Sequence, residues 1–228
     1  PKDATALLAL CKDKALWLLL QGVYSHLAAS DDEDENAFTK KQLKTFSEIV
    51  AVFSSAYPKI TFHVLNTSGV LHFPESQYNM VRTGISLYGY GNHPSIDAQL
   101  KPVLRLRTVI SQIHILEEGD TLGYNRAFIA KTRTKTATLP LGHADGIGRI
   151  YGNGKGYVMI NGQQASILGN VCMDMIMVDV TDIDCQAGDT VTVIGPDASA
   201  EDLANAAGTI SYELITGLSQ RIKRRVIS

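Results

Sequence analysis

Cysteine is scarce. Cys11, Cys172 and Cys185 are the only three in 228 residues, and none belongs to a C-x-x-C pair. An odd number of widely spaced thiols argues against a disulfide framework and offers zinc no ligand spacing. A reducing, cytoplasmic setting is the expectation. Positive charge is not in excess either: 21 Lys and Arg face 23 Asp and Glu, for a formal net charge of −2. Binding to nucleic acid or to a membrane surface relies on clustered positive charge, so neither partner is expected. No apolar run reaches the roughly 20 residues that a membrane span requires. The most apolar stretch near the start, ALLALCKDKALWLLL, is cut by Lys12, Asp13 and Lys14, and no small-residue cleavage site follows it. Internal repeats and low-complexity tracts are absent. Gly152-Asn153-Gly154-Lys155-Gly156 lacks the G-x-G-x-x-G spacing of a dinucleotide loop and reads as a hairpin turn.

What remains is a foldable globular composition, 45% hydrophobic and 19% charged. The length suits one large domain or two small ones. The opening at Pro1, directly on helix-like sequence, suggests a truncated start. Residues 4–16 read as the end of a helix, and WLLLQGVYSHLA reads as a buried strand ending near His26. Asp31 to Glu35 form an acidic, solvated loop. Thr39 and Gln42 match a capping box, and Leu43, Phe46, Val50 and Phe53 then recur at helical spacing. Residues 60–66 form the next strand, and the segment from Met80 contains another, ending near Thr83. Strand, helix, strand order points to βαβ units and a parallel sheet. After the Gly-, Asn- and Pro-rich linker at residues 89–95 the chain turns to short strands separated by turns such as Asn161-Gly162-Gln163, a pattern of an antiparallel sheet or barrel. Ser199 with Asp202 opens a short helix closing near Gly208, and Ser211 is a candidate cap for another. The tail Arg221-Ile222-Lys223-Arg224-Arg225 reads as a solvated edge.

Polar groups gather at strand ends in the first part: His26, then His63 followed by Thr67, then Arg82 inside an apolar segment. A lone His there is more often structural, and Arg82 needs a partner because an unpaired buried charge is costly. Strand ends of α/β sheets are where ligands collect. In the second part stand Tyr124, the GHADG segment at residues 142–146 and the VCMD segment at residues 171–174. Asp174 interrupts an apolar run, so burial with a hydrogen-bond partner is expected.

The segments VYSHLAASD, FHVLNTSG, VRTGISLYGYG, LKPVLRL, TLGYNRAF, LPLGHADGIGR, GNVCMDMIMVDVTD, GDTVTVIG and ISYELITGLSQRIKR, in that order, resemble alanine racemase of the fold-type III pyridoxal-phosphate (PLP) group. The resemblance covers essentially the whole chain. It implies an α/β part, residues 1–95, holding the later strands and helices of a (β/α)8 PLP-binding barrel. An all-β part, residues 96–228, would follow as a mostly antiparallel, barrel-like C-terminal domain. A complete barrel takes about 250 residues, so only part of one fits. The family's PLP-bearing Lys lies upstream of any matching motif here, and the chain alone is expected to be inactive.

The implied reaction interconverts L- and D-alanine for peptidoglycan precursors in a homodimer acting on a small amino acid. Tyr124 matches the family's second base, supported by His26. Arg82 matches the residue facing the pyridine nitrogen. Thr67, Gly84, Ile85 and Tyr212 match phosphate contacts, with Thr67 where Ser is usual. Met173 matches a backbone contact to the substrate carboxylate, and it and Tyr124 would come from the partner subunit. Asp31, His143 and Arg149 match the entrance. His143 and Asn170 depart from the usual Tyr and Arg there, which bears on substrate entry. Other readings are a non-catalytic racemase-like dimerisation module of a fused cell-wall enzyme, or a serine or broad-specificity racemase.

Overall fold

A computed structural model describes residues 2–13, 20–91 and 94–227. Residues 14–16 of the expected first helix, residues 17–19 of the expected first strand, and Asn92 and His93 of the linker lie outside these. The chain divides into two compact units, Pro1–Lys101 and Pro102–Ser228.

The first unit runs α1 (Lys2–Asp13), β1 (Gly22–Tyr24), α2 (Asn36–Ser54), β2 (Thr61–His63), α3 (Thr67–His72) and α4 (Pro94–Asp97), with 3-10 turns at Pro74–Ser76 and Ile85–Tyr88. β1 and β2 pair in parallel, Gly22 opposite Thr61 and Tyr24 opposite His63. This is the βαβ unit that the sequence order predicts. Gly22 is required at the pairing, because a Cβ would sit 2.7 Å from the Thr61 carbonyl oxygen. Thr39, Leu43, Phe46 and Phe53 form the buried stripe of α2. They meet Phe62, Val64 and Leu65 from the β2 side, with Leu27 and Phe73 closing the core. Burying side chains such as Phe46 and Phe53, each 2% exposed, stabilises by about 2–3 kcal/mol apiece.

Two expectations fail here. The helix begins at Asn36, and its cap residue Glu35 makes no side-chain cap. Thr39 and Gln42 instead hold the loop after β1: the Thr39 hydroxyl donates to the Ala29 carbonyl, and the Gln42 amide donates to the His26 carbonyl and accepts from the Ala28 N–H. The expected strand ending at Thr83 does not form. Asn79 N–H bonds the Phe62 carbonyl and Arg82 N–H the Leu65 carbonyl. Bonds three residues apart tether this segment beside β2, whereas a parallel ladder bonds at alternate residues.

The second unit is built on β3 (Leu106–Val109), β4 (Gln112–Leu116), β5 (Thr121–Leu122), β6 (Phe128–Ile129), β7 (Thr134–Leu139), β8 (Tyr157–Ile160), β9 (Gln163–Leu168), β10 (Ile176–Asp179) and β11 (Thr190–Ile194). Seven strands form one sheet in the order β3-β11-β8-β9-β10-β7-β4, every pair antiparallel, and β5 and β6 make a small ribbon. β3 and β4 hold the two ends of that order, yet only Ile110 and Ser111 separate them. Laid flat, such a sheet would part its edges by roughly 29 Å, and the link reaches about 10 Å. The sheet must therefore curl on itself. Ile110 N–H bonds the Asp189 carbonyl beside β11, and Ser111 N–H bonds the Thr138 carbonyl in β7. Leu139, Val158, Ile160, Ile167, Ile176, Val178, Val191 and Ile194 fill the interior.

Asn161 and Gly162 link β8 to β9 with φ of 49° and 78°, the left-handed pair of a two-residue hairpin. GNGKG is not a hairpin. A 3-10 turn, Arg149–Tyr151, precedes it, so it leads from that turn into β8. Helix α5 (Ala200–Ala206) starts as expected, with the Ser199 side chain accepting from Asp202 N–H. Helix α6 (Ser211–Gly217) is capped by Ile210, and Ser211 is its first helical residue rather than its cap.

Candidate active site

Each unit carries one cluster of the residues singled out by sequence. In the first unit, Arg82 lies where the segment tethered to β2 passes the ends of β1 and β2. One terminal nitrogen of its guanidinium is 2.6 Å from His63 Nδ1, and the other donates to the Ser25 carbonyl at 3.0 Å and reaches His26 Nδ1 at 3.1 Å. Arginine is only ever a donor, so both Nδ1 atoms accept and both imidazoles carry their proton on Nε2. Burial first, and the Arg82 charge second, push His63 below its ordinary value, which keeps it neutral at pH 7. Tyr24 stacks on His63 at 5.0 Å, and Arg82 lies 5.5 Å over the Tyr24 ring. The partners that an arginine in an apolar segment demands are thus two imidazoles and the carbonyls of Ser25 and Val64, not a carboxylate. Arg82 Nε–H has no acceptor among the described residues.

Directly after Arg82 the chain meets the start of α3. Gly84 N–H donates to Thr67 Oγ1 at 2.9 Å. That uses the Gly84 donor and leaves the Thr67 hydroxyl proton available. Thr67 and Ile85 are buried, 3% and 2% exposed, and Ile85 N–H has no acceptor among the described residues. Asn66 caps α3 through Gly69 N–H and accepts from the Ser30 hydroxyl, fixing the approach to Thr67. Asp31 is exposed in the turn that follows Ser30. A separate groove of about 250 Å³ along α2, lined by Phe38, Lys41 and Phe46 among others, holds none of the expected site residues.

In the second unit, Tyr124 follows Gly123 in a tight turn between β5 and β6. Gly123, Asn125 and Arg126 all have positive φ, and Asn170 Nδ2 donates to the Tyr124 carbonyl. The phenol is 71% exposed, and its hydroxyl has no partner among the described residues. Tyr124, Cys172, Met173, Asp174 and three further residues line a cavity of about 440 Å³. Asp174 is not buried as expected. Residues 171–175 are a loop and only the rest of the apolar run enters β10, so Met173 and Met175 are exposed as well, and Asp174 is bound by Arg221 at 2.7 Å. His143 lies in a 3-10 turn (His143–Asp145), and its N–H bonds the Cys172 carbonyl. Arg149 opens the next 3-10 turn, and Tyr212 lies on α6. Neither lines the Tyr124 cavity.

Two residues prove more important than the sequence suggests. His63 stands at a strand end with no evident role until parallel pairing sets it opposite Tyr24; the missing information was register. Arg221 reads as part of a solvated tail but instead forks onto Asp145, at 2.7 and 3.1 Å. That hydrogen bond, helped by Gly142 N–H, holds the Asp145 carboxyl below the usual carboxylate range despite its burial.

Residues 1–92 match the family described as alanine racemase, N-terminal domain, and residues 103–226 match alanine racemase, C-terminal domain. The chain belongs to the alanine racemase family. A racemase of that name from Citrifermentans bemidjiense is 39% identical over 220 residues, covering 92% of this chain and 58% of its own length. One from Treponema denticola is 38% identical over 238 residues, with 98% of this chain and 62% of its own length covered. Among solved structures, alanine racemase from Bartonella henselae with covalently bound pyridoxal phosphate superposes with a TM-score of 0.82 at 32% identity, over 97% of this chain and 61% of that one. Alanine racemase from Streptomyces coelicolor A3(2) gives 0.84 at 28% identity, over 97% and 59%. The chain thus spans about three fifths of the racemases it matches. Its curled antiparallel sheet and its βαβ unit agree with the α/β-plus-β architecture of that family. Among the described residues no helix is long and apolar enough to cross a membrane.

Proposed function

We propose that this chain is the later part of a cytoplasmic, PLP-dependent alanine racemase that interconverts L- and D-alanine for peptidoglycan precursors. In this reading residues 1–95 are part of its cofactor barrel and residues 96–228 its β domain. The observation that carries the reading is the donor set around Arg82. A guanidinium is fixed by the Nδ1 atoms of two imidazoles with Nε–H left over, next to a buried Thr67 hydroxyl and the Ile85 N–H. That set fits a ring nitrogen on one side and a phosphate on the other.

Bound there, PLP would supply an electron-withdrawing ring that acidifies the substrate α-C–H. Arg82 is a donor only, because an arginine side chain stays a guanidinium in proteins. It would therefore donate to the ring nitrogen without protonating it, and so would limit charge delocalisation that favours side reactions. Thr67 and Ile85 would hold the phosphate. His26 presents Nε2–H as a donor because its Nδ1 accepts from Arg82, which equips it to support a tyrosine hydroxyl. Tyr124 would move the proton on one face. Its exposed phenol and the exposed Met173 loop suit a site completed in a homodimer.

The test is racemisation by the full-length enzyme with PLP. Tyr124→Phe should depress turnover of L-alanine by about 10²–10⁴-fold, the range for loss of a positioned acid–base group; an unchanged rate would remove Tyr124 from the mechanism. Faster turnover of L-serine than L-alanine would replace the substrate. The 228-residue chain alone, whose lysines match no cofactor-lysine motif, is expected to show none.

A further inference from the structure

We propose that Arg221 is a positioning residue: it sets the direction of the Met173 N–H, the contact to the substrate carboxylate that the family resemblance implies, and of the neighbouring Asp174 N–H. The proposal rests on the racemase reading above for the identity of the anion.

The starting point is the peptide bond. His143 N–H donates to the Cys172 carbonyl and Ala144 N–H to the Met173 carbonyl, both at 2.9 Å. In a trans peptide the C=O and the following N–H point in opposite directions. Both carbonyls face the 3-10 turn, so the N–H groups of Met173 and Asp174 both point away from it. Neither has an acceptor among the described residues. Both residues line the cavity that also holds Tyr124. Two adjacent, uncommitted N–H groups are a small anion-binding concavity.

Their direction depends on how closely the loop is pressed to the turn. Gly142 permits the approach, since a Cβ there would lie 2.4 Å from both carbonyl oxygens. Arg221 holds the two parts together. Its Nε and one terminal nitrogen grip Asp145, whose other duty is to accept the Gly142 N–H at 2.8 Å. The same terminal nitrogen reaches Asp174 at 2.7 Å. One side chain from the tail thus clamps the turn to the loop, and Ser219 N–H adds a bond to the Asp145 carbonyl.

The experiment has two arms. In the 228-residue chain, Arg221→Gln should speed amide hydrogen exchange at His143 and Ala144 by about tenfold or more, as their acceptors drift. In the full-length enzyme the same change should raise KM for alanine about tenfold with kcat within about threefold, the mark of lost ground-state binding. Arg221→Lys, which keeps the charge but not the fork, should fall between. Asp174→Asn, a change at an exposed side chain, should reproduce part of the KM effect in a normally folded protein. Unchanged exchange at His143 and Ala144 in Arg221→Gln would overturn the clamp. So would an unchanged KM with kcat falling only as the folded fraction falls. A wild-type enzyme that does not racemise alanine would refute the racemase reading, and the exchange arm would still decide the clamp.

Discussion

Arg82 and Asp145 show how a side chain takes its character from its neighbours. His63 sits beside Arg82 with its pKa pushed down by burial and by that charge. The unfolded chain binds a proton near its ordinary value of about 6.5, so the fold's advantage is present above that pH and is lost as pH falls through the folded value. Urea melts of the first unit should therefore weaken on acidification below about pH 6.5, and His63→Gln, which keeps an acceptor, should flatten that slope. Asp145 works in a lower window. Its carboxyl is held down by Arg221, so its contribution is present above about pH 4 and disappears below. Asp145→Asn should destabilise the second unit at pH 7 and differ little from wild type near pH 2, as followed by chemical denaturation. The need of Arg82 for a partner was legible, because a charge in an apolar segment must be satisfied. The identity of its partners was not, because it depends on which residues the parallel register of β1 and β2 brings abreast. Asp174 misled for a related reason. An apolar run interrupted by a charge reads as buried strand, and nothing local distinguishes it from a loop that exposes two methionines.

At the scale of elements, local chemistry was readable where it is self-contained. Ser199 caps α5 as its spacing with Asp202 indicates. Ser199→Ala should lower the stability of the second unit by about 1 kcal/mol, measured from the denaturation midpoint. Gly162 offers a cleaner case: its φ is 78°, and a Cβ there would meet nothing within 4 Å. Gly162→Ala should cost about 1 kcal/mol through backbone conformation alone. Gly142→Ala should cost far more, because there the Cβ meets two carbonyl oxygens. Where an element answers to something distant, the sequence misled. Thr39 and Gln42 have the spacing of a capping box but are drawn to the loop after β1. The segment before Thr83 is apolar enough for a strand, yet it is pinned by isolated bonds to Phe62 and Leu65.

For the whole molecule, the two units differ in how their backbone is satisfied. Among its described residues the first has one parallel pair of three-residue strands, and the β2 edge is met only by the isolated bonds of the segment at Asn79 and Arg82. The second curls seven antiparallel strands into one sheet whose two end strands, β3 and β4, are joined by two residues. Hydrogen exchange on the 228-residue chain should show stronger protection in β7, β9 and β10 than in β1 and β2. Equal protection in a monomer would contradict this. The order of parts along the chain was legible from motif sequence and turn composition. An antiparallel sheet or barrel was legible from the short strands and turns; the order of the strands was not, since it places the sequence neighbours β3 and β4 at opposite ends.

That seam has a consequence for how the molecule is made. β3 is among the first strands of its unit to leave the ribosome, and its partner β11 is the last. Until Thr190–Ile194 has been synthesised, β3 has nothing to pair with and the sheet stays open. Contacts so distant in sequence also bear the full entropy of closing the intervening chain before they return anything. Closure should therefore be the late and slow event of folding, with the hairpin at Asn161 and Gly162 formed well before it.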